Sequence, residues 1–274
     1  MRRILIVVML ALFVNVIAAP VQYTSAQEDF DFTKAYEDYT FSLDEYRKAE
    51  AGYQLKRSEY LRHDTLSSKN EAIDATRGFL KSRDQVVIAY LTALRKKFDE
   101  TPGMSGSEKE PYFAKVDSEV SWHQEHKDRV DTAVTLDDFV DDSKEASDQY
   151  SKTELVAYEV LTAVSTGKLN SLRGPQGELV GQTNSKISGI RQAGDKDTSI
   201  VEKWILDADN EMVRAEEKMD TARAIIVEMK ERLKSGEKRS KFNSSQAKMS
   251  EAHQHTKEAN RFLGEIIIEI KTAD

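Results

Sequence analysis

The 274-residue chain contains no cysteine and only four prolines. Without cysteine it can form no disulfide and has no thiol nucleophile, so the packing of side chains must supply its stability. With so few prolines, long segments are free of helix breakers. The apolar share of 39% is low and the charged share of 32% is high, as expected of thin helical bundles with much surface. These features favour an all-α protein.

Signatures of several enzyme classes are also missing. No serine lies in a Gly-x-Ser-x-Gly elbow, and no glycine-rich loop of the phosphate-binding type occurs. Carboxylates are abundant, but none stands out as a buried pair. The formal net charge of −8 argues against non-specific binding to nucleic acid or anionic lipid. We therefore expect no enzyme, no cofactor and no nucleic-acid partner.

The N-terminal segment 1–26 is typical of a secretory signal. Arg2 and Arg3 precede an apolar run over residues 4–19, which is short for a membrane span. Small residues ending at Ala26 favour cleavage there, whereas an uncleaved segment would tether the chain to a membrane. No second apolar run follows. We expect an exported protein (periplasmic, cell-surface or secreted) with no membrane span after cleavage of the signal.

Two glycine clusters divide the remaining chain. The first covers residues 101–107, and the second, from Gly167 to Gly194, contains half of all the glycines. Such clusters are typical of loops. The predicted segments are a signal peptide (1–26), a helical hairpin (27–100), a loop (101–107), central helices (108–172), a glycine-rich linker with a short helix (173–196) and a second hairpin (197–274).

An aromatic residue recurs at every seventh position from Phe32 to Tyr60, and an aliphatic residue does so from Leu66 to Leu94. If the chain folds back near His63, each aromatic residue meets an aliphatic partner, as in an antiparallel hairpin. A row matched in this way indicates a packed seam rather than a surface that stacks on sugars or bases. The predicted pairs are Phe32 with Leu94, Tyr39 with Val87, Tyr46 with Leu80, Tyr53 with Ile73 and Tyr60 with Leu66.

The predicted turn of this hairpin has no glycine or proline. One bent, continuous helix is therefore an open alternative. Ser68 and Glu71 have the spacing of a capping box and would start the second helix of the hairpin.

The C-terminal part has the most regular pattern. Apolar residues from Val201 to Leu233 follow alternating steps of four and three, which is a heptad seam. The segment 235–237 (Ser-Gly-Glu) is a predicted helix stop, and a second apolar stripe runs from Phe242 to Ile270. A second antiparallel hairpin is predicted, with Leu233 opposite Phe242, Ile226 opposite Met249, Met212 opposite Leu263 and Ile205 opposite Ile270.

The central part contains the main candidate site. His123 and His126 are three residues apart, so a helix brings both imidazoles near one face, with Glu119 one turn before them. Two histidines and a carboxylate can hold zinc. His123 also lies on the apolar stripe of its helix, where a hydrogen-bonded histidine is the commoner role. We expect no metal, and His123, His126 and Glu119 are the candidate ligands if one binds.

Two further polar groups have simpler interpretations. His253 and His255 are two residues apart and point to different faces of a helix. The acidic run 136–142 has no glycine and keeps helical apolar spacing, unlike a calcium loop. We interpret it as an exposed helix face, with weak adsorption of divalent ions as the alternative. Thr135 and Asp138 are predicted to cap this helix.

The predicted fold is an all-α, elongated bundle of long antiparallel helical hairpins, coiled-coil-like, after an N-terminal signal peptide. Heptad hairpins behind a signal are similar in general form to the periplasmic coiled-coil hairpins of bacterial envelope proteins. This similarity rests on the heptads and the signal, so no functional residue is carried over. The leading hypothesis is an exported scaffold, spacer or adaptor of the cell envelope that binds protein partners or self-associates.

Two alternatives belong to other functional classes. The first is a periplasmic or extracellular binding protein that holds a small molecule, peptide or glycan near the tyrosine-rich seam or the glycine-rich segment. The second is a metal-dependent enzyme that uses His123 and His126. Surplus exposed tyrosines would favour the first alternative, and bound zinc would favour the second.

Overall fold

The computed structural model describes residues 31–193 and 198–273. These residues form α-helices and one short 3-10 helix without any strand, which confirms the all-α prediction. None of these described helices combines the length and apolarity that crossing a membrane requires. The predicted signal peptide lies outside the described residues. The elements are α1 (Phe32–His63), α2 (Leu66–Asp99), α3 (Gly106–Arg129), the 3-10 helix Val130–Thr132, α4 (Asp138–Ala193), α5 (Ser199–Val227) and α6 (Ser235–Ala273).

Helices α1 and α2 pack against each other and are joined by a tight turn directly after His63. Asp64 adopts a left-handed conformation, with φ of 42°, and ends α1, so the two helices are not one bent helix. The start of α2 differs from the prediction. Thr65 and Ser68 form the capping box, so the predicted pair of Ser68 with Glu71 is wrong: Thr65 already supplies the N-cap three residues earlier.

The aromatic row of α1 is buried at one position and half-buried at others. Tyr39 is only 2% exposed, and its ring meets that of Tyr90 on α2 edge-on, with centroids 5.5 Å apart. Tyr46 and Tyr53 are half-buried, and both rings pack on Phe79, with centroid distances of 5.5 and 5.0 Å. The row thus combines a core residue with a partly accessible aromatic edge.

The two predicted pairs nearest the turn of this hairpin are wrong. Leu66 is the first residue of α2 and is 75% exposed, so it forms no core pair with Tyr60. Ile73 is buried in a cluster with Phe139, while Tyr53, its predicted partner, stacks on a different residue. The reason is that α2 carries a broad apolar face that also serves later elements. The seven-residue period alone does not determine which helix each position faces.

The loop between α2 and α3 is short, and α3 begins at Gly106. Ser105 caps the start of α3. The buried Lys109 donates hydrogen bonds of 2.7 Å to the carbonyl oxygens of Asp99 and Thr101. These bonds tie the loop to the first turn of α3.

The longest helix, α4, takes part in both halves of the fold. Its first half packs on α2 and α3, where Ala157 and Val160 join the core that also contains Tyr39. Its second half packs on α5 and α6, where Val180 and Ile187 join their core. One continuous helix therefore connects the core around Tyr39 with the core between α5 and α6.

The predicted glycine-rich linker over 173–196 is instead helical as far as Ala193, and Pro175 lies inside this helix. The last part of the predicted linker lies outside the described residues. Packing of an apolar stripe against α5 and α6 outweighs the local cost of glycine and proline. The buried positions that continue the stripe past Pro175 are Gln176, Val180, Thr183 and Ile187.

The seam of the C-terminal hairpin agrees with the sequence pattern. On α5, all predicted seam positions from Val201 to Ile226 are buried. On the return helix, the predicted positions from Phe242 to Ile266 are buried as well. The side chain of Ile270 lies outside the described residues.

The turn and the register of this hairpin differ from the prediction. Helix α5 ends at Val227, and Ser235 begins α6 instead of ending α5. The Ser245 hydroxyl donates a hydrogen bond of 2.9 Å to the carbonyl oxygen of Ala222. In the predicted register, His253 would lie opposite Ala222, about one heptad further along α6 than Ser245. A heptad pattern repeats after seven residues, so the position of the loop decides the register.

Candidate functional site

Three buried polar residues meet where α2 passes α3. One carboxylate oxygen of Asp84 lies 2.9 Å from His123 Nδ1, and the other lies 2.7 Å from His126 Nδ1. All three side chains are buried. The spacing on α3 brings both imidazoles to one face, as predicted from the sequence, and this face packs on α2. Their shared partner, Asp84, was not predicted.

The other ring nitrogens of the two histidines are hydrogen-bonded too. His126 Nε2 lies 3.1 Å from the carbonyl oxygen of Asp142, which can only accept, so this nitrogen carries a proton. His123 Nε2 lies 3.1 Å from the hydroxyl of Thr153. That hydroxyl donates to a carboxylate oxygen of Glu119 at 2.6 Å. Glu119 therefore joins the cluster through Thr153, and all four ring nitrogens are engaged.

These contacts determine the charge of the Asp84 carboxyl group. Burial alone would raise the pKa of the Asp84 carboxyl, but the hydrogen bonds from the two histidines and the charge of Arg83 outweigh it. The pKa of Asp84 therefore lies below its usual value, and Asp84 is a carboxylate at neutral pH. His126 faces an acceptor at each ring nitrogen, the Asp84 carboxylate at Nδ1 and the Asp142 carbonyl oxygen at Nε2. The Trp122 ring stacks on the His126 ring, with centroids 5.0 Å apart.

The same contacts bear on the zinc candidates. His123 and His126 each direct one nitrogen at Asp84, and Glu119 reaches them only through Thr153. Over the described ranges, no three histidine or acidic side chains are arranged to hold a metal ion. In this structure the candidate residues instead bond to one another. The cluster is a buried polar link between α2, α3 and α4.

Asp84, His123 and Thr153 follow the acid–base–hydroxyl order of hydrolase triads. Thr153 is fully buried, however, and its hydroxyl is engaged with the carboxylate of Glu119. A substrate carbonyl has no access to this oxygen. The arrangement can hold three helices together, but it is not placed to attack a substrate.

A cavity of about 670 Å³ lies beside this cluster. Asp84 and His123 form part of its wall. Helix α1 contributes Tyr46, and α2 contributes Phe79, so an aromatic surface stands near a polar one. We refer to it as the Tyr46 cavity. Its volume lies within the range of small-molecule sites.

Arg83 also lines the Tyr46 cavity, and its hydrogen bonding is incomplete. Its Nη2 atom is buried and has no hydrogen-bond partner among residues 31–193 and 198–273. Burial lowers the pKa of Arg83, and the nearby charge of Asp84 opposes that shift. A guanidinium nevertheless stays protonated at neutral pH. A buried, unpaired donor of this kind is costly and requires an explanation.

The two histidines of α6 lie away from this cavity. His255 Nδ1 lies 2.6 Å from a carboxylate oxygen of Glu211 on α5. His253 is exposed, and burial of part of its ring lowers its pKa. The two side chains therefore face different directions, as predicted.

The acidic run at the start of α4 has a structural role. The Asp138 carboxylate accepts hydrogen bonds from the backbone N–H groups of Val134 and Thr135, at 2.9 and 2.8 Å. The Thr135 hydroxyl accepts from the Asp138 N–H at 3.3 Å, which confirms the predicted cap. Asp137 and Asp141 are exposed, in agreement with an open helix face.

Sequence reasoning missed Arg83 and Asp84, although a signal for them exists. The two charged residues lie between Leu80 and Val87, which are both buried positions of the α2 stripe. A charged pair between core positions, about one turn from each, marks a buried polar site. Comparisons with protein-family models, with curated proteins and with solved structures find no match to this chain. Its function is therefore argued from the site itself.

Proposed function

We propose that the chain is an exported, elongated bundle of coiled-coil-like hairpins that binds a small molecule between its helices. The observation that carries this proposal is the Tyr46 cavity of about 670 Å³, which joins an aromatic wall to a fixed polar wall. Small-molecule sites combine apolar surface with a few oriented polar groups in this way. Export rests on the N-terminal signal sequence alone.

The aromatic wall consists of Tyr46 and Phe79, whose rings are tilted by 34° to each other. Tyr53 does not line the cavity, but its ring stacks on Phe79 with an interplanar angle of 8°. Flat, half-buried rings offer a large contact area to another ring at little cost in side-chain freedom. This wall supports binding of a ligand with a planar apolar body.

The polar wall is rigid before any ligand arrives. Asp84 and His123 are held by the buried hydrogen bonds that link α2, α3 and α4. A preformed site loses less freedom on binding. We propose binding without catalysis, because Thr153, the hydroxyl nearest to a histidine base, is buried away from the cavity. A metal-dependent enzyme is not proposed, since the ring nitrogens of His123 and His126 already have partners.

The test is binding of four small aromatic probes: benzyl alcohol, benzamide, benzoate and phenyl phosphate. Amide chemical shifts would be followed by NMR in the wild type, in Tyr46→Ala and in Phe41→Ala. Phe41 lies on the same helix but is 68% exposed, so it controls for loss of a ring outside the cavity. We expect shifts at cavity residues in the wild type, at least tenfold weaker binding in Tyr46→Ala, and no change in Phe41→Ala. If no probe perturbs the cavity, the proposed function is wrong.

A different observation favours a second function, the envelope scaffold, spacer or adaptor. The outer face of α5 carries Leu206, Val213 and Val227, which are 60%, 53% and 76% exposed. Their heptad spacing puts them on one stripe, which is interrupted by Asp220. Such a stripe suits a partner helix or a second copy of the chain.

Self-association through this stripe would be measured by size-exclusion chromatography with light scattering. We expect a concentration-dependent dimer in the wild type and a monomer in Val213→Glu. The exposed Lys203→Glu on the same helix is the control for added negative charge. A wild-type chain that stays monomeric at high concentration would rule out this dimer.

A further inference from the structure

We infer that the ligand of the Tyr46 cavity is an anion, with a carboxylate or phosphate group held by Arg83 and a planar apolar body lying on the aromatic wall. This inference rests on the proposed function and names the chemical class of its ligand. Three observations carry it: the unpaired guanidinium nitrogen, the hydrogen bonds that occupy the neighbouring carboxylate, and the hydroxyl donors in the same cavity lining.

The first observation is the unpaired donor itself. Arg83 Nη2 is buried at the cavity and has no acceptor within the described part of the chain. Desolvating a charged donor without pairing it costs more free energy than an ordinary hydrogen bond returns. A ligand oxygen would supply the missing acceptor. Guanidinium groups match carboxylate and phosphate oxygens in geometry as well as in charge.

The second observation concerns the carboxylate closest to Arg83 in sequence. Both oxygens of Asp84 are hydrogen-bonded to His123 and His126. The charge of Asp84 acts on Arg83, but Asp84 forms no hydrogen bond with Arg83 Nη2. Glu50 and Asp148 also line the cavity, and neither accepts a hydrogen bond from Arg83 Nη2 in the described residues.

The third observation is that further donors line the same cavity. Tyr46 and Tyr150 line the same cavity. Burial raises the pKa of Tyr46 to about 12 and raises the pKa of Tyr150 still further. Both hydroxyls therefore keep their protons at physiological pH and can donate. Lys234 adds a second positive charge to the lining, which also holds carboxylates. Hydroxyl donors and a guanidinium in one lining suit an oxyanion.

The size of the cavity bears on the rest of the ligand. A volume of about 670 Å³ far exceeds the space that inorganic phosphate fills, so the anionic group is expected to be part of a larger molecule. The rings of Phe79 and Tyr46 line the same cavity and offer an aromatic surface to that part. The ligand class is therefore a planar, apolar acid.

The experiment measures the affinity of the intact protein for benzoate, phenyl phosphate, the neutral benzamide and inorganic phosphate by calorimetry. We expect benzoate or phenyl phosphate to bind at least tenfold more tightly than benzamide, and the better of the two identifies the anionic group. Arg83→Gln should remove most of this preference, because the anions lose a charge-assisted contact whereas the neutral benzamide loses at most an ordinary hydrogen bond. Arg214→Gln, which removes an exposed charge on α5, should leave the preference intact.

Two controls keep the outcome interpretable. Arg83→Lys keeps the charge but loses the planar fork, so we expect an intermediate affinity for the anions. Circular dichroism and thermal melting of each variant would establish that it folds. If Arg83→Gln does not fold, Arg83→Lys still tests the inference.

The results separate the inference from the proposed function. If benzamide binds as tightly as both aromatic anions, or if Arg83→Gln keeps the anion preference, the inference is overturned while the binding function stands. If inorganic phosphate binds as tightly as phenyl phosphate, the planar apolar body is wrong. If no aromatic probe, charged or neutral, binds to the wild type, the proposed function fails and the inference falls with it.

Discussion

Gly103, in the loop between α2 and α3, lies so close to Gly167 of α4 that neither has room for a Cβ atom. A Cβ at Gly103 would stand 2.1 Å from the carbonyl oxygen of Gly167, and one at Gly167 would stand 2.7 Å from the carbonyl oxygen of Pro102. Gly103 also has a φ of 77°, which favours glycine. The two glycine clusters of the sequence thus meet in space, at the middle of α4.

Because backbone atoms would have to move, we expect Gly167→Ala to lower the free energy of unfolding by roughly 1–3 kcal/mol. The measurement is urea denaturation followed by circular dichroism. Gly177→Ala on the same helix is the matched control, since nothing lies within 4 Å of its added Cβ. There alanine should stabilise the helix by about 0.5–1 kcal/mol. Equal stability of the two variants would contradict the close contact.

The Tyr39 hydroxyl is buried and has no hydrogen-bond partner in the described residues. Tyr39→Phe removes this unsatisfied group and keeps the ring against Tyr90, so we expect unchanged stability or a gain of up to about 1 kcal/mol. Tyr39→Ala should cost about 3–5 kcal/mol because it leaves a cavity. Urea unfolding measures both changes. A loss of more than about 1 kcal/mol in Tyr39→Phe would mean that the hydroxyl has a partner.

The buried Asp84 carboxylate should contribute stability that depends on pH. Since its folded pKa lies below the usual value, this contribution is present above the unfolded pKa of about 3.9 and is lost as the pH falls through the folded pKa. We expect Asp84→Asn to cost about 3–5 kcal/mol at pH 7. The difference between wild type and variant should shrink below about pH 4.

Chemical denaturation over a series of pH values checks this expectation. Asp128→Asn, at an exposed position of α3, is the control and should change the stability by less than about 0.5 kcal/mol. A difference between wild type and Asp84→Asn that stays constant down to the acid limit would contradict the role of the carboxylate charge.

The register of α5 against α6 can be tested by crosslinking, since the chain has no native cysteine. The Ser245 hydroxyl lies 2.9 Å from the carbonyl oxygen of Ala222. We therefore expect Ala222→Cys with Ser245→Cys to form a disulfide under mild oxidation, visible as a mobility shift on a non-reducing gel. Ala222→Cys with His253→Cys represents the register predicted from the sequence and should stay reduced. If the second pair forms a disulfide and the first does not, the register predicted from the sequence is the correct one.

Local sequence patterns determined the class of the fold, the positions of one turn and one seam, and part of the site. The steps of four and three from Val201 to Ile226 correspond to buried positions of α5. The turn after His63 and the shared face of His123 and His126 also followed from the sequence. The physical reason is that helical periodicity relates residues within a few turns of each other, so a short window contains the information.

Only the tertiary structure decided which of these surfaces meet. The heptads of α5 and α6 permit pairings seven residues apart, and the loop after Val227 selects one of them. Helix α4 continues past Pro175 because two distant helices cover its apolar stripe. Arg83 and Asp84 line the Tyr46 cavity because residues of α1, α3 and α4 lie next to them on α2. Such contacts join residues far apart in the chain, so no local pattern encodes them.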